Sequence, residues 1–187
     1  MSLTLLLGGA RSGKSGLAVE IGNRYDVGPV SFIATAPSLD GDMASRIERH
    51  QRERPAQWAT IEEQLDLESA ISGIGSGLII IDCLTLWTSN LMWHDRTDDE
   101  IRSVAASTAQ LASSHAGDVV AISNEVGLGI HPESELGRRY RDVHGWVNQC
   151  WAHAADRTLF VAAGKAMALD DPLAHLPFSS SPRPEST

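Results

Sequence analysis

The sequence predicts an α/β domain with a mostly parallel central sheet, and three observations predict it. Short apolar runs alternate along the chain with segments of helical period. A complete G-x-x-x-x-G-K-[ST] motif separates the first apolar run from the first helical segment. The most β-branched run, residues 78–82, is uninterrupted and ends in a carboxylate, Asp82. Strands that are apolar throughout are buried on both faces, and helical crossovers between them make them parallel.

Taken in order, residues 3–7 form a short apolar strand, and a glycine-rich turn leads into a helix that places Leu17, Ala18 and Ile21 on one face. Residues 30–34 predict a second buried strand. Residues 42–54 predict a helix, with Asp40 or Asp42 as its cap and Pro55 as its stop. A short helix is expected over 64–71, followed by the connector Gly73-Ile74-Gly75-Ser76-Gly77. After the strand at 78–82, the apolar stretch 84–93 reads as a helix packed on the sheet. The acidic-headed stretch 98–115 reads as another helix. A strand at 119–122, a long helix at 133–155 and a last strand at 158–162 complete the pattern. The long helix carries Leu136, Tyr140, Val143, Val147 and Trp151 on one face. The expected organisation is one domain over 1–169 and a Pro/Ser-rich, disordered tail over 170–187.

The 187 residues suit one domain, and 42% apolar residues can build a real core. A net charge of -9 argues against a general nucleic-acid binder, which would carry a basic excess. It leaves anionic small ligands open, because a few arginines and backbone N–H groups bind a triphosphate. No apolar run is long enough to span a membrane, and Met1-Ser2-Leu3 enters a strand with no basic leader, so a cytoplasmic location is expected. Two widely spaced cysteines, Cys83 and Cys150, read as packed, reduced thiols.

Gly8-Gly9-Ala10-Arg11-Ser12-Gly13-Lys14-Ser15 carries the chemistry. Its glycines let the backbone N–H groups turn inward as an anion nest, and the following helix adds its positive dipole end. Lys14 is expected to reach the β- and γ-phosphates, and the Ser15 hydroxyl and the Asp82 carboxylate to hold Mg2+. Asp82 alone could equally cap the next helix. Arg46, His50 and Arg54 share one ridge of the helix expected over 42–54. Two guanidinium groups beside an imidazole could grip phosphates while the ring attacks one. A solvated basic face, neutralised by Glu48 and Glu53, explains the same residues and is the reading that physics alone favours.

Several segments together resemble one family. They are the glycine-rich loop; Ile33-Ala34-Thr35-Ala36; Arg46-Ile47-Glu48-Arg49-His50 continuing to Arg54-Pro55; and Trp58 with Thr60 and Glu62. Further along come Asp82-Cys83-Leu84-Thr85-Leu86-Trp87 with Asn90-Leu91; Ser123-Asn124-Glu125-Val126-Gly127-Leu128-Gly129-Ile130 with Pro132-Glu133; and Gly137-Arg138 with Tyr140-Arg141-Asp142, Gly145 and Asn148-Gln149. The pattern resembles the bifunctional adenosylcobinamide kinase / adenosylcobinamide-phosphate guanylyltransferase family of cobalamin synthesis. The resemblance implies a RecA-like P-loop fold, a homotrimer and two reactions. The first phosphorylates adenosylcobinamide with ATP or GTP. The second transfers GMP from GTP to that phosphate through a guanylyl-histidine, which by position is His50. Nucleotide contacts are implied at residues 8–15, at Ile33, Ala34 and Thr35, at Gln51, Arg52, Glu53 and Arg54, and at Glu62 and Asp82. Glu62 could accept from guanine N1 and N2. This sequence departs from the family pattern at Asp40-Gly41-Asp42-Met43, with a shorter carboxylate, and at Asp170 after Leu169. Two other readings compete: a small-molecule P-loop kinase without nucleotidyl transfer, and a GTP-dependent switch. The second lacks the Asn-Lys-x-Asp signature with which switches read guanine.

Overall fold

In the computed structural model, residues 2–36 and 55–175 are described. Seven strands form one sheet in the order β3-β2-β4-β5-β1-β6-β7. They are β1 (Leu3–Gly8), β2 (Val30–Ala34), β3 (Ala59–Glu62), β4 (Leu78–Asp82), β5 (Asp118–Asn124), β6 (Arg157–Ala162) and β7 (Lys165–Leu169). The first six are parallel, and β7 folds back antiparallel on β6. The helices are α1 (Lys14–Arg24), α2 (Leu67–Ser72), α3 (Leu84–Trp93), α4 (Asp98–Ser113) and α5 (Glu135–Ala154), with a 3-10 turn at Pro172–His175. The helix expected over 42–54 lies outside the described residues, as does the tail from 176.

The apolar runs are strands because both of their faces are buried. Along β4, Leu78 and Ile80 point into one core with Leu6, Phe32, Val120 and Ala18 of α1. Ile79 and Ile81 point into the other, with Leu3, Leu5, Ile33, Ala121 and the helices opposite. Alternation at period two therefore supplies both layers from one run. On α5, Val143, Val147 and Trp151 recur every fourth residue and are fully buried, as their spacing predicts. Leu136, expected on the same face, is 63% exposed, because the first turn of α5 projects past the core. The helix ends are specified locally. Thr97 and Glu100 form a capping box at α4, and Asp66 and Ser134 accept backbone N–H groups at α2 and α5.

Two strands were not expected. β3 is four residues long and mostly exposed, and β7 is exposed throughout. Edge strands that bury neither face carry no hydrophobic period, so the pattern that found the central strands could not find these.

Candidate nucleotide site

Every parallel strand ends at the same edge of the sheet, and the predicted phosphate loop sits there between β1 and α1. Gly8 closes β1 at φ 152, and a Cβ on it would lie 2.1 Å from the Val161 carbonyl oxygen. Only glycine fits so close an approach of β1 to β6. Gly13 caps α1 in the left-handed region, φ 105, which turns the loop into the helix. The loop is tied on both sides. Gly164 N–H, in the β6–β7 turn, donates to Ser12 O at 2.9 Å, and Glu125 N–H, just past β5, donates to Gly8 O at 3.1 Å. Ser15 lies in the first turn of α1.

Lys14 is 6% exposed, and its Nζ donates to Gly8 O at 2.8 Å, Gly9 O at 2.7 Å and Ser12 Oγ at 3.2 Å. These three bonds spend all the donors of the ammonium inside the loop. Burial lowers the Lys14 pKa, while the Cys83 and Asp82 side chains oppose that shift. Asp82, at the tip of β4, therefore lies within electrostatic reach of Lys14. Burial, and then the neighbouring Asp82, push the Cys83 thiol up to about 11, so it stays protonated. Cys83 is thus a packed side chain, as its place after an apolar strand suggested.

The segment after β2 serves as a brace. Thr35 is fully buried, and its hydroxyl both accepts from Cys83 N–H and donates to Cys83 O, each at 2.7 Å. Its own N–H donates to Asp82 O at 3.1 Å, and its carbonyl accepts from Asn90 Nδ2 at 2.8 Å. Asn90 also donates to Gln64 O at 3.1 Å. The tips of β2, β3 and β4 are thereby locked together, which fixes Asp82. The Ile33 side chain lies in the core, so neither it nor the Thr35 hydroxyl faces the cleft; Ala34 is half-buried. Glu62 is exposed at the tip of β3, opposite Ala34 and four strands from β1. At about 4.8 Å per strand, that is roughly 19 Å of sheet edge. His50, Gln51, Arg52, Glu53 and Arg54 lie outside the described residues.

Sequence reasoning missed the polar side chains that hold this edge: Thr35 and Asn90 as braces, and Thr85, His144 and Asn148 behind β5. A signal was present. Thr88 and Asn90 interrupt the apolar stretch of α3, and His144 and Asn148 stand four apart beside the apolar ridge of α5. Polar groups in such places are retained only when satisfied.

Comparison with known proteins agrees with this geometry. A family model described as cobinamide kinase / cobinamide phosphate guanyltransferase matches residues 4–169. The chain is 41% identical over 170 residues to the bifunctional adenosylcobalamin biosynthesis protein CobP of Pseudomonas aeruginosa, covering 88% of this chain and 95% of that one. It is 38% identical over 176 residues to the bifunctional adenosylcobalamin biosynthesis protein CobU of Escherichia coli K12, covering 87% and 96%. Among solved structures, an ATPase of a bacterial type III secretion system superposes with a TM-score of 0.55 at 11% identity, covering 96% of this chain and 59% of that chain. EscN from enteropathogenic E. coli gives 0.55 at 12% identity, covering 87% and 43%. These structures share the RecA-like P-loop fold and support nothing finer.

Proposed function

The chain belongs to the cobinamide kinase / cobinamide phosphate guanyltransferase family, and from that premise we propose that one phosphate-binding edge serves both reactions of the family. It phosphorylates the aminopropanol hydroxyl of adenosylcobinamide with ATP or GTP. It then transfers GMP from GTP to that phosphate, giving adenosylcobinamide-GDP and pyrophosphate. A kinase without nucleotidyl transfer and a GTP-dependent switch are not favoured by the family match.

The observation that carries this reading is the built loop at residues 8–15, with Lys14 folded into it and Asp82 at its side. Loop N–H groups and the start of α1 take the β- and γ-phosphates, and Lys14 exchanges its bonds to Gly8 O and Gly9 O for phosphate oxygens. Ser15 and Asp82 offer a hydroxyl and a carboxylate beside the loop, a hard-oxygen pair suited to Mg2+. When bound there, Mg2+ neutralises phosphate charge.

For guanylyl transfer, neutral His50 attacks the α-phosphorus, the bond to the bridging oxygen breaks, and pyrophosphate stays on the loop. The cobinamide phosphate oxygen then displaces the imidazole. His50 lies in the stretch between β2 and β3, and Glu62 ends β3, so the guanosine half is proposed to run from the loop toward that edge. Ala34, Gln51, Arg52, Glu53 and Arg54 are proposed as further nucleotide contacts, with Glu62 accepting from the guanine. Homotrimer assembly and a cytoplasmic location belong to the same proposal. Exposed Trp93, Leu128 and Ile130 supply apolar surface for self-association, and among the described residues no helix is long and apolar enough to cross a membrane.

The test is product analysis by mass spectrometry after incubating adenosylcobinamide, GTP and Mg2+ with the protein. The reading expects adenosylcobinamide phosphate and then adenosylcobinamide-GDP, both absent with Lys14→Ala. Phosphate without GDP adduct would leave the kinase alone.

A further inference from the structure

We propose that Asn124 is a catalytic residue of the kinase step, donating a hydrogen bond from its carboxamide to the transferred phosphoryl group, and that His144 is the positioning residue that aims it. The proposal rests on the phosphate-loop reading above and adds two residues to it.

The placement comes from the sheet order. β5 lies between β1, which leads into the phosphate loop, and β4, which ends in Asp82. Asn124 is level with Gly8, whereas Asp82 is level with Ile122. Asn124 therefore extends two residues beyond Asp82, about 7 Å further along the strand direction and level with the start of the phosphate loop. The next residue, Glu125, is hydrogen-bonded to Gly8 O, so the tip of β5 and the start of the loop form one unit.

The Asn124 backbone is held from three directions. Its N–H donates to Thr85 Oγ1 at 2.8 Å. Its carbonyl accepts from His144 Nε2 and from Asn148 Nδ2, each at 3.0 Å. Asn148 Oδ1 is in turn fixed by the Ser123 hydroxyl at 2.5 Å. Tyr140 stacks on His144 with ring centroids 5.5 Å apart and 6° between planes, and its hydroxyl donates to Thr85 O at 3.0 Å.

The His144 ring can act in only one tautomer. A carbonyl only accepts, so Nε2 carries the proton toward Asn124 O. In the neutral ring Nδ1 must then accept, so the Thr88 hydroxyl, 3.1 Å from Nδ1 and 2.8 Å from Leu84 O, turns its single proton to the ring rather than to its own helix. His144 is fully buried, which favours that neutral form. Two side chains of α5 thus converge on one carbonyl oxygen and fill both its lone pairs.

A merely structural network would account for this packing if the Asn124 side chain shared in it. It does not: among the described residues, Asn124 is held through its backbone N–H and carbonyl, and the residue is half-buried rather than sealed. A rigid backbone, an unengaged carboxamide and a place between the phosphate loop and Asp82 are the requirements for a fixed donor to developing phosphate charge. In the step it serves, the acceptor hydroxyl oxygen bonds to the γ-phosphorus as the bond to the β-phosphate oxygen breaks. The hydroxyl proton passes to solvent, and the nucleoside diphosphate leaves.

The experiment measures phosphoryl transfer to adenosylcobinamide, protein labelling by α-labelled GTP, and nucleotide Kd for wild type, Asn124→Ala, His144→Gln, His144→Leu and the double variant Asn124→Ala/His144→Leu. Asn124→Ala is expected to lower the kinase kcat by about 100-fold, the usual cost of one preorganised donor. Nucleotide Kd and guanylylation should stay within about threefold, because neither requires charge to develop on the γ-phosphate. His144→Leu should lower the kinase kcat about tenfold, and His144→Gln, which keeps a donor to Asn124 O, should restore most of it. The double variant should be no slower than Asn124→Ala, because positioning a missing carboxamide is worth nothing. Kinase activity unchanged in folded Asn124→Ala overturns the proposal even if His144→Leu fails to fold. Fully additive losses in the double variant overturn the part given to His144. Wild type that phosphorylates no corrinoid overturns the underlying reading instead.

Discussion

Protonating His144 should cost the fold about 3 kcal/mol, and the pH window in which this appears is set by its surroundings. Burial lowers its pKa from 6.5 to about 4, partly opposed by the bond to the Asn124 carbonyl. Its hydrogen-bond partners are Thr88, Ser123 and Asn124, none of them charged. A shift of about 2.5 units at 1.36 kcal/mol per unit gives the figure. The sign follows from proton binding. Between pH 6.5 and 4 the unfolded chain holds a proton on this ring and the folded chain does not, so stability rises with pH there. The contribution is complete above pH 6.5, is lost as pH falls to 4, and is constant below. The informative quantity is the difference between wild type and a variant that lacks the ring. Urea unfolding of wild type and of His144→Gln is measured every half unit from pH 7.5 to 3.5. Wild type should lose about 3 kcal/mol more than the variant, all of it between pH 6.5 and 4. A difference independent of pH would show that burial does not shift the ring, and one that grows in favour of wild type as pH falls would show that the fold holds the proton; either would refute the neutral tautomer on which its role depends.

Three further outcomes follow from the site. Lys14→Ala should reduce both phosphoryl and guanylyl transfer by at least about 100-fold in steady-state assays while leaving far-UV circular dichroism unchanged, since the residue's bonds all lie within the loop. Asp82→Asn should raise the Mg2+ concentration for half-maximal activity by about tenfold or more, read from a metal titration at saturating GTP. Gly8→Ala should cost about 2–4 kcal/mol in denaturant unfolding and abolish nucleotide binding by calorimetry, because the new methyl would sit 2.1 Å from Val161 O.

What the sequence made legible follows from what burial imposes on it. β4 could be read from five residues because both its faces are buried and every side chain must be apolar up to Asp82. The phosphate loop could be read because its geometry demands glycine at Gly8 and Gly13 and admits little else. β3 and β7 could not, since an edge strand with exposed faces is constrained by hydrogen bonds that any residue can make. The roles of Thr35 and Asn90 were hidden for a different reason. Their partners are backbone groups up to 55 positions away, and such pairings have no period. The motif placed Thr35 among the expected nucleotide contacts, and its hydroxyl also braces the strand that carries Asp82. His144, four residues from Asn148 on α5, is fully buried. What no pattern could reveal is that its packing ends on the carbonyl beside the phosphate loop.

In the proposed guanylyl transfer, GMP is held in a covalent bond to the His50 imidazole. The most direct measurement incubates the protein with α-labelled GTP and Mg2+ in the absence of corrinoid, then follows the label on denatured protein in acid and in alkali. Wild type should carry a label that acid removes and alkali does not, and His50→Ala none. A label of equal yield on His50→Ala, or no label on an enzyme that still makes adenosylcobinamide-GDP, would contradict it.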